Sequence, residues 1–102
     1  MSGKKFVQYI GDYRVHDAVI KEVWHRADVA TVVLQSIEDE IVIIEFHHVK
    51  EIRDIDAIGM MLYSISEMSG EEPYRHFVFT NWSECSTASL EVIAKEYRYF
   101  HD

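Results

Sequence analysis

Three segments in the first half of the chain have the periodicity and composition of β-strands. Residues 18–25 show an alternating pattern, and residues 29–34 and 41–49 are rich in β-branched and apolar side chains. Short polar stretches at 26–28 and 37–40 separate these segments and suit turns. The pattern therefore predicts three antiparallel strands connected as a meander.

The middle of the chain fits two interpretations. Apolar residues recur at helical spacing from residue 56 to residue 68, and Gly70 suits the end of a helix: Ile58, Met61, Leu62, Ile65 and Met68. Alternatively, residues 61–68 pair with the aromatic segment 74–82 across a turn that contains Gly70 and Pro73. We favour the hairpin because Tyr63 and its serine neighbours are mediocre helix formers.

The last part of the chain is predicted to be a polar loop followed by a strand. Residues 81–89 are polar, and residues 90–100 alternate before they end in an aromatic segment at 97–100. We expect that segment to dock on the domain's own sheet, with a self-association edge in a homo-oligomer as the alternative. The predicted fold is mainly β (or α+β): about six antiparallel strands in a barrel-like or sandwich sheet, with one helix at 56–68 as the alternative.

Length and composition indicate a single domain over residues 1–102. The chain is 48% hydrophobic and 13% aromatic, which is enough for a packed core, and most aromatic side chains are expected in that core or on the sheet. Its longest apolar run, residues 41–44, is too short to cross a bilayer, and the N-terminal residues lack the apolar stretch of a signal peptide. With a single cysteine, these features predict a cytoplasmic protein that does not enter membranes.

Acidic residues are concentrated in the middle third of the chain. The net charge is −8, and residues 38–72 hold ten acidic and only two basic residues. Such a surface repels phosphate, which disfavours nucleic acid, and attracts a basic protein. The candidate binding residues lie in two acidic turns: Glu38, Asp39, Glu40, Glu71 and Glu72. The alternative is that the acidic segment only solvates the protein.

Four residues form a weaker candidate for a metal site: His16, Asp17, His25 and His47. His47 shares a strand face with Glu45, and His25 is expected on an adjacent strand. The spacing matches no closed metal motif, and the adjacent pair His16–Asp17 leads into a strand rather than a helix. We therefore prefer a structural role, with Asp17 accepting backbone N–H groups or orienting His16. A small metal- or ligand-binding protein is the alternative function.

No residue pattern predicts catalysis. Cys85 has Glu84 beside it and no local positive charge, which opposes thiolate formation. The four glycines are scattered, so no phosphate-binding loop or nucleophile elbow exists. We expect a non-enzymatic protein without a cofactor.

The order of these segments resembles that of small bacterial domains that begin with a strand of the form His-Asp-small-x-Ile. Residues 16–20 carry that pattern, the third strand ends in Glu45-Phe46, and residues 90–95 form the terminal segment. Such domains are uncharacterised or are grouped with the immunity proteins of polymorphic toxin systems. The resemblance covers roughly residues 16 to 97 and implies a cytoplasmic protein that binds another protein. It implies no catalytic residue.

Overall fold

The computed structural model describes residues 5–83 and 85–101. About 60% of the described residues lie in β-strands, and these residues contain no α-helix. The elements are β1 (Phe6–Tyr9), a 3₁₀ turn (Tyr13–Val15), β2 (Val19–Arg26), β3 (Val29–Gln35), β4 (Ile41–His47), β5 (Glu51–Ile55), β6 (Leu62–Met68), β7 (Arg75–Asn81), β8 (Ser89–Ala94) and β9 (Glu96–His101). They form two antiparallel sheets in the orders β1-β6-β7-β8-β5 and β2-β3-β4-β9, which do not close into a barrel.

The predicted meander and hairpin are confirmed. Strands β2, β3 and β4 pair in succession, and β6 pairs with β7 across the turn that contains Gly70 and Pro73. The alternative helix at 56–68 is wrong. Strand β6 has a neighbour on each side, and the pairing buries Leu62 and Ile65 completely. The helical spacing of the apolar residues reflects a β-bulge between Leu62 and Ser64, which shifts the alternation by one position.

The strand count and the last predicted strand need correction. The described residues hold nine strands rather than six. Two of the additional strands, β1 and β5, lie at sheet edges, and their side chains do not alternate between buried and exposed positions, so no strand period marks them in the sequence. The predicted strand at 90–100 is two strands in different sheets, β8 and β9, which meet at Lys95.

The chain also passes from one sheet to the other between β4 and β5, at residues 48–50, where His48 has φ 58°. Backbone bonds from Lys50 to Ile93 (2.7 Å) and from Lys95 to His47 (3.1 Å) keep the two bent chains paired. We call this bend the corner.

The core lies between the two sheets. Alternate residues of β3, β4 and β8 are buried, which is the period expected for strands with one face in the core. Three phenylalanines are almost completely buried there, and the ring of Phe46 lies 5.0 Å from that of Phe77 and 5.9 Å from that of Phe79. These contacts fix the two sheets relative to each other, so the exposed side chains stand on a packed scaffold.

A second junction joins the sheets at the start of β2. The N–H of Ile20 donates to Met60 (2.9 Å), and the N–H of Leu62 donates to Ala18 (2.7 Å). This junction brings the segment 12–17 next to the start of β6. No helix among the described residues is long and apolar enough to cross a membrane.

Candidate partner-binding surface

The two acidic turns lie at opposite ends of the sandwich. The turn that holds Glu38, Asp39 and Glu40 connects β3 to β4 and begins where Gln35 pairs with Ile41. The turn that holds Glu71 and Glu72 lies near the corner, because the carboxylate of Glu71 is 3.3 Å from the ammonium of Lys50. Strand β4, with seven residues, separates the two ends by about 20 Å. The acidic candidates therefore form two surfaces, not one.

The β3–β4 turn, which we call the acidic hairpin, is held in shape by its own backbone. The hydroxyl of Ser36 accepts hydrogen bonds from the N–H groups of Glu38 (3.2 Å) and Glu40 (3.0 Å). Asp39 has φ 64°, a conformation that Asp tolerates better than most residues. Glu40 accepts a hydrogen bond from Arg14 at 3.2 Å, so the hairpin is attached to the 3₁₀ turn.

A second carboxylate, Asp12, completes this attachment. Arg14 forms an ion pair with Asp12, and the hydroxyl of Tyr99 donates to Asp12 at 2.6 Å. Burial acts to raise the pKa of Asp12, but the bonds from Tyr99 and from the Arg14 backbone, together with the Arg14 charge, bring it below its usual range. Asp12 is therefore ionised at neutral pH, and the single guanidinium of Arg14 is shared between two carboxylates.

Exposed aromatic side chains continue from this attachment across the molecule. Tyr9, Tyr13, Tyr63 and Trp82 are each more than half exposed. The guanidinium of Arg14 lies 4.8 Å from the ring centre of Tyr13, and a small groove of about 210 Å³ is lined by Asp12, Tyr9 and Tyr63. A wider groove of about 590 Å³ runs from Tyr63 to Trp82, with polar groups of residues 80, 81 and 83 along it. Tyr63 lines both grooves.

His16 contacts Tyr63 in the middle of this region. Its Nδ1 lies 3.0 Å from the carbonyl oxygen of Tyr63, and the two rings contact edge to face at 5.5 Å. Its Nε2 is 3.8 Å from the carboxylate of Asp17, while the N–H of Asp17 donates to the carbonyl of Leu62 at 2.9 Å. His16 and Asp17 thus support the orientation of Tyr63.

We call the whole region the aromatic–acidic surface; it comprises Tyr9, Asp12, Tyr13, Arg14, His16, Asp17, Tyr63, Trp82 and the acidic hairpin, residues 38–40. It holds five carboxylates and one guanidinium. The acidic hairpin is predicted from the sequence, whereas the aromatic residues are expected there in the core or on the sheet. Their spacing along the chain offers no signal, because they come from four separate segments.

The four metal candidates do not come together in the described structure. His16 and Asp17 are neighbours at the start of β2. His25 pairs with Ala30 and His47 pairs with Val29, so His25 and His47 lie on opposite faces of the four-stranded sheet, with β3 between them. Glu45 and His47 do share a strand face, and Nε2 of His47 lies 3.2 Å from the carboxylate of Glu45. Within the described part of the chain no three potential ligands cluster.

Cys85 is exposed and lies on the wider groove beside Trp82. Its neighbour Glu84 lies outside the described residues.

Comparisons of the chain with protein-family models, with curated proteins and with solved structures find no match. The surface chemistry of the chain itself is thus the basis for a functional proposal.

Proposed function

We propose that the chain is a non-enzymatic protein-binding module that holds a basic, extended segment of a partner protein on the aromatic–acidic surface. One observation carries the proposal: exposed aromatic side chains and carboxylates extend from the acidic hairpin past Tyr13 and Tyr63 to Trp82. An inhibitor that binds a toxin, the function implied by the resemblance to immunity proteins, would act through an interface of this kind.

The aromatic residues supply the contact area. Tyr and Trp are enriched at protein interfaces, because their large rings bury apolar surface while the hydroxyl or indole N–H keeps a polar partner. Adjacent exposed aromatic residues on a monomer commonly mark such a site.

The charges determine which partner fits. The five carboxylates of the surface outnumber Arg14, which Asp12 and Glu40 already occupy. A guanidinium or ammonium group of a partner would meet uncompensated carboxylates at Glu38 and Asp39, and ring faces for cation–π contacts. An acidic partner would be repelled, which gives the surface selectivity.

A peptide of alternating arginine and glycine tests the proposal, with an otherwise identical glutamate peptide as its control. We expect the arginine peptide alone to bind, and its affinity to fall about tenfold or more between low and physiological salt because exposed charges are screened. Trp82→Ala should weaken binding about tenfold, the loss of one interfacial aromatic anchor. The readouts are calorimetry for affinity and stopped-flow fluorescence for rates.

The two acidic turns provide a matched pair of variants. Charge reversal at Glu38 and Asp39 should slow association, whereas the same reversal at Glu71 and Glu72 removes equal charge from the opposite end and should change the rate much less. Equal effects would indicate a response to net charge rather than a site. Binding of the arginine peptide that is unaffected by Trp82→Ala and by the hairpin reversal would refute the proposal. In that case the acidic residues serve solubility.

A further inference from the structure

Strand β2 is an edge of the four-stranded sheet and has a free side. Its first residues are covered by the junction with residues 57–62, but from Lys21 to Arg26 it pairs, among the described strands, with β3 alone. Four of these six residues carry charges or an imidazole, and Val23 alone is partly covered by the core. The free edge therefore projects a row of backbone groups toward solvent.

The turn after β2 determines which backbone groups face outward. Two residues, Ala27 and Asp28, connect the paired residues Arg26 and Val29, and Ala27 has φ 55°. In a two-residue hairpin the flanking pair exchanges hydrogen bonds within the hairpin. Since the bonding direction alternates along a strand, Val23 and His25 direct their N–H and C=O groups to the free side.

Three side chains share the outer face of this edge: Glu22, Trp24 and Arg26, opposite Val33, Thr31 and Val29. Trp24 is 59% exposed and donates its indole N–H to Glu22 at 2.7 Å. A groove of about 520 Å³ lies beside it, lined by Trp24, Arg26 and Val29 among others. Among the described residues neither Glu22 nor Arg26 has an ion-pair partner within the chain.

We propose that this edge pairs with the β2 strand of a second copy, antiparallel and centred on Trp24. That register places Glu22 opposite Arg26 of the second copy and Arg26 opposite its Glu22. The two Trp24 side chains become a directly opposed pair, and the groove beside each receives the other's indole. Val23 and His25 exchange four backbone hydrogen bonds with their counterparts, and the two sheets become one of eight strands.

The other free edges are less self-complementary. In β9, centring on Arg98 sets guanidinium against guanidinium, and centring on Tyr99 sets Arg98 against Phe100. In β5, the full-length register sets Arg53 against itself. Strand β1 carries no charged residue and so specifies no register. A register centred on Tyr97 in β9 would set Glu96 against Arg98, and one centred on Ile52 in β5 would set Glu51 against Arg53. Glu51, however, already forms an ion pair with Arg53, and Glu96 lies 3.8 Å from His48. Strand β2 combines a self-complementary charge pattern with a glutamate and an arginine that have no ion-pair partner among the described residues.

Charge reversals at the two ends of the edge provide the test. Sedimentation velocity over a range of concentrations should show a monomer–dimer equilibrium for the unchanged chain. Glu22→Arg and Arg26→Glu should each weaken dimerisation at least tenfold, because two opposite-charge pairs become two like-charge pairs. The doubly changed chain, Glu22→Arg with Arg26→Glu, should dimerise like the unchanged one.

A mixture gives the sharpest result. At positions 22 and 26 the Glu22→Arg chain has two arginines and the Arg26→Glu chain has two glutamates. Each variant should therefore be monomeric alone, and the two should associate when mixed. Glu51→Arg, on another edge, is the control and should leave dimerisation unchanged. Thermal unfolding of every variant verifies that the fold is intact. A chain that stays monomeric at millimolar concentration, or a dimer insensitive to both reversals, would overturn the proposal.

Discussion

Glu67 is the buried carboxylate whose replacement tests the described packing most directly. Only 9% of its side chain is exposed, and it accepts three hydrogen bonds: two from Arg75 (2.8 and 2.9 Å) and one from Gln8 (2.9 Å). Arg75 in turn lies 5.4 Å from the ring centres of Phe77 and Tyr97. The cluster thus connects edge strand β1 to the core of the five-stranded sheet.

We expect Glu67→Gln to lower the free energy of unfolding by about 2 kcal/mol. Breaking a fully buried ion pair costs about 3–5 kcal/mol, but a third of the Arg75 side chain is exposed, so water recovers part of the loss. For a domain of this size the melting temperature should fall by roughly 8–16 °C. Glu71→Gln removes an exposed ion pair and should change stability by less than about 0.5 kcal/mol.

The difference between the unchanged chain and Glu67→Gln should depend on pH. The hydrogen bonds from Arg75 lower the pKa of Glu67, although burial opposes this, and the bond from Gln8 and the charge of Arg75 lower it further. A carboxyl group whose pKa is lower in the folded state stabilises the fold above its unfolded pKa, and this contribution is lost as pH falls through the folded pKa. Urea unfolding at neutral pH and in the acidic range measures it. A difference below 0.5 kcal/mol at neutral pH, or one unchanged by acid, would refute this reasoning.

Two further predictions concern the segment that supports the aromatic–acidic surface. Burial and the bond to Asp12 raise the pKa of Tyr99 to about 12, so absorbance titration should show a late-ionising tyrosine that Tyr99→Phe abolishes. Because that pKa is raised in the folded state, its stabilisation is present below pH 10 and is lost as pH rises through about 12; the substitution should cost about 1 kcal/mol at neutral pH. Gly11 and Gly59 both have positive φ, but a Cβ at Gly11 would lie 2.5 Å from Val15 whereas Gly59 faces open space. Gly11→Ala should therefore cost about 2–4 kcal/mol and Gly59→Ala about 1 kcal/mol in chemical denaturation, and equal losses would contradict the described packing.

Most of the local structure can be predicted from short stretches of the sequence. The alternation and β-branched content of residues 29–34 and 41–46 specify strands whose alternate residues form the core. Turn residues between them specify the meander, and Gly70 with Pro73 specifies the β6–β7 hairpin. These features are readable because strand periodicity and turn geometry are properties of a few consecutive residues.

The arrangement of the strands in the two sheets, and the surfaces that they create, depend on long-range packing. The bend at Lys95, which divides one predicted strand between two sheets, follows from pairing with β4 and β5, some 45 residues away in the chain. The same long-range pairing separates the acidic turns, assembles Tyr9, Tyr63 and Trp82 into one surface, and leaves β2 at an edge. The sequence shows Glu22 and Arg26, but their spacing matters for pairing with a second copy only because β2, on which both lie, is an edge strand. Such pairings depend on the packing of distant segments against a shared core, which no local pattern encodes.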